Sequence, residues 1–156
     1  MRALSCVAAV CVFSVALGAA DNPFVGTWKL NTAKSKGTPG MLSKEATVVF
    51  EAVGDQMKRT VTGIDPDGEP VNSSSTIAWD GKEHKVEGSK GRPPVMVAVK
   101  SVNDRRVNVT VKNADGKVVS SGHAEVSKDG KTMTATFKGE DPKGRKFNNV
   151  EVFDKQ

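Results

Sequence analysis

Phe24-Val25-Gly26-Thr27-Trp28-Lys29-Leu30 (FVGTWKL) sets one of the chain's two tryptophans behind a glycine, inside an alternating run. Gly26, Trp28 and Leu30 share one side of an extended chain, and Thr27, Lys29 and Asn31 share the other, because successive side chains of a strand point to opposite faces. The same period recurs downstream. Val107, Val109 and Val111 oppose Arg106, Asn108, Thr110 and Lys112, while Met133, Ala135 and Phe137 oppose Thr132, Thr134, Thr136 and Lys138. One apolar and one wet face describe antiparallel strands. From Phe24 onward the periodicity predicts strands and no helix.

The breaks between strands carry the topology. Strands are predicted over 24–31, 45–53, 56–64, 70–79, 83–87, 94–102, 105–112, 117–127, 131–138 and 145–154. Asp80-Gly81, Asp115-Gly116 and Asp129-Gly130 read as hairpin turns, since Asp and Gly tolerate positive φ. Connections 32–44, 65–69, 88–93, 113–116 and 139–144 are the longer ones, and they alternate with tight turns at 54–55, 80–82, 103–104 and 128–130. In an up-and-down meander alternate connections lie at opposite ends, so all the longer loops gather at one end, as in a cup. A one-sided apolar sheet of this size must close on itself or fold into a sandwich. Uninterrupted meander connections favour the barrel, because a Greek-key sandwich needs a long crossover and only 32–44 is long enough. The expected fold is therefore all-β, an antiparallel up-and-down β-barrel of about eight to ten strands.

The start of the chain, MRALSCVAAVCVFSVALGAADNP, has Arg2, an apolar run from Ala3 to Leu17, and small residues at Gly18, Ala19 and Ala20. That layout predicts a secretory signal peptide over 1–20, cut after Ala20, with a single barrel domain over 21–156. The alternative, a retained anchor, needs a longer apolar run of roughly 20 residues. Removal of the leader takes both cysteines, Cys6 and Cys11, so the exported chain has no disulfide and no thiol chemistry. It also takes Arg2, lowering the formal net charge from +5 to +4. A charge this small, spread along the chain, does not indicate nucleic acid, and the absence of Tyr leaves little to stack bases.

With a barrel expected, FVGTWKL resembles the Gly-x-Trp signature on the first strand of the calycins, the superfamily of lipocalins and fatty-acid-binding proteins. The resemblance implies that Trp28 plugs the closed end of the barrel, with Gly26 leaving room for a neighbouring backbone. Loop parity places Trp28 at that same tight-turn end. VFDK at Val152–Lys155 is similar to that family's final strand. The chain also looks like small exported bacterial proteins of lipocalin-like type, for which the resemblance implies no activity. Two features of fatty-acid-binding proteins are missing. Segment 32–44 is too short and too rich in Gly, Pro and Lys for their helix–turn–helix lid, and Glu151, Val152 and Phe153 stand where the resemblance places a carboxylate-gripping Arg-x-Tyr.

His84 and His123 are the only histidines. A mixed metal site of His84 with Asp80 or Glu83 is weighed against a solvated histidine beside a turn, and the latter is preferred. No Gly-x-Ser-x-Gly elbow, phosphate-binding Gly-rich loop or calcium-loop spacing occurs, and Asp65-Pro66-Asp67-Gly68-Glu69 reads as a turn. No catalytic residue, metal or cofactor is assigned. Lys34, Lys36, Lys90-Gly91-Arg92 and Lys143-Gly144-Arg145 suggest a cationic mouth, but acidic neighbours at the same end make it mixed.

Alternation turns Arg59, Met57, Phe50, Ile77, Trp79, Val97, Met133 and Phe137 inward as candidate ligand-binding residues, with Phe24, Leu30, Val48, Val61, Val99, Val107 and Val109 beside them. Arg59 is the unusual member, because an inward charge is costly unless paired. It is expected to await a carboxylate, to pair with a protein acid, or to stack on Trp28 as an Arg does in lipocalins; a register break would instead turn it outward. The leading functional expectation is an exported (secreted or periplasmic), non-enzymatic, monomeric binding protein. Its partner would be a small hydrophobic or amphipathic molecule held in the barrel, and it would meet membrane only through its leader. Alternatives are a filled barrel acting as an interaction or inhibitor module through its loops, and an enzyme supported by no spacing found here.

Overall fold

The computed structural model describes residues 22–88 and 93–156; the expected leader with its cut site, and Lys90-Gly91-Arg92, lie outside the described residues. The chain forms β1 (Gly26–Leu30), β2 (Lys36–Gly37), β3 (Glu45–Val53), β4 (Gln56–Ile64), β5 (Pro70–Ala78), β6 (Asp80–Val86), β7 (Val95–Asn103), β8 (Arg106–Lys112), β9 (Val118–Val126), β10 (Thr132–Glu140) and β11 (Lys146–Lys155). No helix occurs among the described residues. Every pairing is antiparallel, in the order β5-β4-β3-β1-β11-β10-β9-β8-β7-β6.

The first strand bonds the last, with Trp28 opposite Lys155 and Leu30 opposite Phe153, and this curls the sheet into a barrel. Closure stops short at one seam. β5 and β6 share no ladder, although only Trp79 separates them in the chain. The expected hairpin at Asp80-Gly81 is therefore not one. Asp80 already belongs to β6, three residues before the predicted start, and a register shift between Asp80 and Glu83 bends that strand. Gly81, at φ 83°, absorbs the bend rather than reversing the chain.

Segment 31–44 also departs from a plain loop. β1 is only five residues long, so it covers just the lower end of β11, and β2 pairs with the upper part at Asn149 and Val150. The strap is held to β11 throughout. Asn31 N–H donates to the Val152 carbonyl at 2.7 Å, and Ser35 Oγ accepts from Val152 N–H at 2.9 Å. Buried Asn149 donates to the Met41 carbonyl at 2.7 Å and accepts from Thr38 N–H at 3.2 Å. Lys34, expected at the mouth, instead reaches down the outer wall to Asp154 at 3.1 Å.

The core is densest at the closed end. Trp28 is wholly buried, and Phe24 and Val126 are nearly so. The Trp28 indole N–H donates to the Phe24 carbonyl at 2.7 Å, so the Phe and the Trp of FVGTWKL fix each other. Phe24 then meets Trp79 (5.1 Å between ring centres) and Phe50 (6.0 Å) edge to face, a favoured aromatic arrangement. Lys155, rather than Arg59, lies over the Trp28 ring, at 5.0 Å. Gly26 makes room for that lysine and not for a backbone. Its φ is 128°, and a β-carbon there would come within 2.9 Å of Lys155 Cε.

Candidate functional site

Inside the barrel lies a cavity of about 760 Å³, walled mostly by apolar side chains. That lies within the roughly 300–1,000 Å³ range of small-molecule sites. Arg59, Met57, Phe50, Ile77, Trp79, Val97, Met133 and Phe137 all border it, so the period-2 reading brought one group of residues together across β3, β4, β5, β7 and β10. Gly26 and Trp28 do not border it; they lie beneath, and the Phe24, Phe50 and Trp79 rings form the floor. A filled barrel is thus not what these side chains build. Valines dominate the β7 and β8 walls, and they are too short to meet at the centre.

Arg59 keeps the regular register, opposite Phe50 on β3 and Ser75 on β5, so no break turns it outward. Arg59 lies deep among protein atoms, yet its side chain keeps accessible surface where it borders the cavity. Enclosure pulls its pKa below the ordinary arginine value, and the negative charge of Glu151 pulls it back up. Among the described residues no carboxylate closes a salt bridge with it. Glu151 lines the same cavity from β11, opposite Ala135, and its Oε1 accepts only a long bond, 3.3 Å, from Ser43 N–H. Sequence reasoning missed Glu151 as a cavity residue, although its place at the position of the absent clamp was the available signal.

Among the described residues, three loops at the mouth share one design. In 65–69, 113–117 and 141–145 the first side chain, Asp65, Asn113 or Asp141, accepts backbone N–H bonds from the residues two and four further on. A glycine follows at positive φ, at Gly68 (93°), Gly116 (78°) and Gly144 (78°), where a β-carbon is disfavoured. Two of these loops meet over the cavity. Arg145 donates to both carboxylate oxygens of Asp67, at 3.0 and 2.9 Å, and Lys143 adds a bond of 2.9 Å. Those bonds, Arg145 first, hold the Asp67 carboxyl down to about 2, and they raise the Arg145 pKa. Asp141 also takes Arg145 Nε at 2.7 Å. The mixed rim is therefore a clasp between the β4–β5 and β10–β11 loops.

The polar candidates elsewhere stay apart. His84 Nε2 lies 3.2 Å from Asp80 Oδ1 on a partly exposed strand end. Among the described residues no three His, Cys, Asp or Glu side chains converge to hold a metal ion.

This barrel resembles solved structures throughout its length. One is a fatty acid binding protein of Schistosoma mansoni in complex with arachidonic acid, at TM-score 0.60 and 19% identity, covering 88% of this chain and 99% of that one. The likeness is one of fold, an antiparallel β-barrel whose first and last strands pair. A zebrafish ileal bile acid-binding protein complexed with cholic acid superposes at TM-score 0.58 and 14% identity, covering 86% of this chain and 99% of that one. As-p18, an extracellular fatty acid binding protein, does so at 0.54 and 11%, covering 87% and 98%. No protein-family model and no curated protein sequence matches the chain. The strap over 31–44 forms no helix, as expected, and Glu151 and Phe153 both border the cavity.

Proposed function

We propose that this chain is an exported, non-enzymatic carrier that holds one small hydrophobic or amphipathic molecule inside its barrel. The observation that carries the reading is the connected apolar cavity of about 760 Å³. Burying an apolar molecule there removes its surface from water at roughly 25 cal/mol per Å². The neighbours that share the fold are a fatty acid binding protein with arachidonic acid and a bile acid-binding protein with cholic acid, which supports the same class of cargo. Export rests on the leader composition of residues 1–20.

The test is native purification of the secreted chain followed by mass spectrometry of what is extracted from it. A stoichiometric apolar molecule is expected, together with a mature N-terminus at Asp21. Titration with the neutral probe N-phenyl-1-naphthylamine should give a saturable rise in probe fluorescence as it enters the apolar cavity. A chain that carries no apolar molecule and takes up no probe refutes the carrier reading.

A further inference from the structure

Below the rim the cavity wall contains one positive and one negative side chain among the described residues, Arg59 and Glu151. The other charged residues on its border, Glu45, Asp65, Asp67, Asp141, Lys143 and Arg145, belong to the mouth: Glu45 opens β3, and the rest sit in the two clasp loops. Arg59 has no hydrogen-bond or ion-pair partner among the described residues, and Glu151 has only the long bond from Ser43. The two charges sense each other without touching. Separated charges in an apolar enclosure are costly, and they favour any group that bridges them.

We infer that the interior selects a head group of zero net charge that offers both a hydrogen-bond acceptor, for Arg59, and a donor, for Glu151. The chemical class is a neutral polar lipid such as a monoacylglycerol, in preference to a free fatty acid. This rests on the carrier reading and narrows it. The reason is charge balance. The pair sums to zero, so a neutral head leaves the interior neutral, whereas a carboxylate adds a second negative charge beside Glu151 in a medium that screens poorly. An alkylammonium meets the mirror-image difficulty beside Arg59. A hydroxylated neutral head satisfies both, since hydroxyls donate and accept. The Ser43 N–H, which holds Glu151 from the strap, fixes the donor side of the arrangement.

The experiment is displacement of N-phenyl-1-naphthylamine from the full mature chain by monopalmitin, palmitate and hexadecylamine, at concentrations below micelle formation. Monopalmitin is expected to displace the probe at a concentration at least tenfold lower than either charged lipid. Glu151→Gln removes the negative charge and leaves Arg59 unbalanced, so it should improve palmitate about tenfold or more and abolish the preference for monopalmitin over palmitate. Arg59→Met should shift the preference toward hexadecylamine. The wild-type ranking needs no variant and so does not depend on either one folding. Palmitate binding as tightly as monopalmitin, or a palmitate affinity unmoved by Glu151→Gln, overturns the inference while leaving the carrier intact. Failure of the probe to bind at all overturns the carrier and the inference with it.

Discussion

Replacing Trp28 by Phe separates support of the barrel from lining of its cavity. Trp28 is wholly buried, and its indole N–H is the partner of the Phe24 carbonyl at 2.7 Å. Phenylalanine has no donor there, and a buried carbonyl left unpaired costs about 1–3 kcal/mol. The smaller ring also leaves on the order of 40 Å³ unfilled, about 1 kcal/mol at ~24 cal/mol per Å³ of cavity. The sum is about 2–4 kcal/mol, and at about 3–4 °C per kcal/mol for a domain of this size the melting point should fall by roughly 6–16 °C. Thermal unfolding followed by circular dichroism measures the shift, and probe titration well below the transition measures the site. Because Trp28 does not border the cavity, the folded variant should bind the probe as the wild type does. A melting shift under about 2 °C, or a loss of affinity in molecules that are still folded, would refute this division of roles.

Three further outcomes follow from the same geometry. Ala135→Trp, on the wall opposite Glu151 in the β10–β11 ladder, should fill part of the void and weaken probe binding more than tenfold without lowering the melting point; unchanged affinity would show that ligands lie elsewhere. Asp67→Asn should loosen the clasp and raise the probe's dissociation rate several-fold in stopped flow. The Asp67 carboxyl is held down to about 2, below its unfolded value, so its contribution is complete above that value and lost as pH falls through about 2. The wild-type rate should accordingly stay flat from neutrality to about pH 4 and approach that of the variant only near pH 2; identical rates at neutral pH would remove the clasp from gating. Asn149→Ala deletes its bonds to Thr38 and Met41; Thr38 N–H keeps the Asn148 carbonyl at 3.3 Å, so the main cost is the Met41 carbonyl left without its amide partner, about 1–3 kcal/mol. Amide exchange over 36–43 should then quicken while β3 and β10 stay protected, and uniform quickening would mean that the strap is integral to global stability.

Much of this architecture was legible because a strand's side-chain period is local. Each inward residue announces itself by its neighbours two positions away, so Phe50, Met57 and Ile77 could be assigned to the interior before any contact was known, whereas for Arg59 the alternation left an outward register break open. Loop lengths are equally local, and their parity separated mouth from floor. Asp80-Gly81 failed for the complementary reason: a hairpin needs both flanking strands to bond each other, and β5 and β6 find their partners on opposite sides. Nothing within a few residues of Trp79 records that. Lys155 over Trp28 was invisible in the same way, because only the pairing of first strand with last, more than a hundred residues apart, brings them together.

From its residues alone, then, the chain determined an all-β meander with one apolar face, its mouth end, and the set of side chains that turn inward. Tertiary structure decided the rest: that the wall stays hollow, that a seam opens at β5 and β6, that the strap lies along β11, and that Asp67 reaches Arg145 across the mouth. Alternation says which way a side chain points but not how far away the opposite wall stands. That distance depends on how the strands tilt and close, and it decides whether short valines meet or leave room for a ligand.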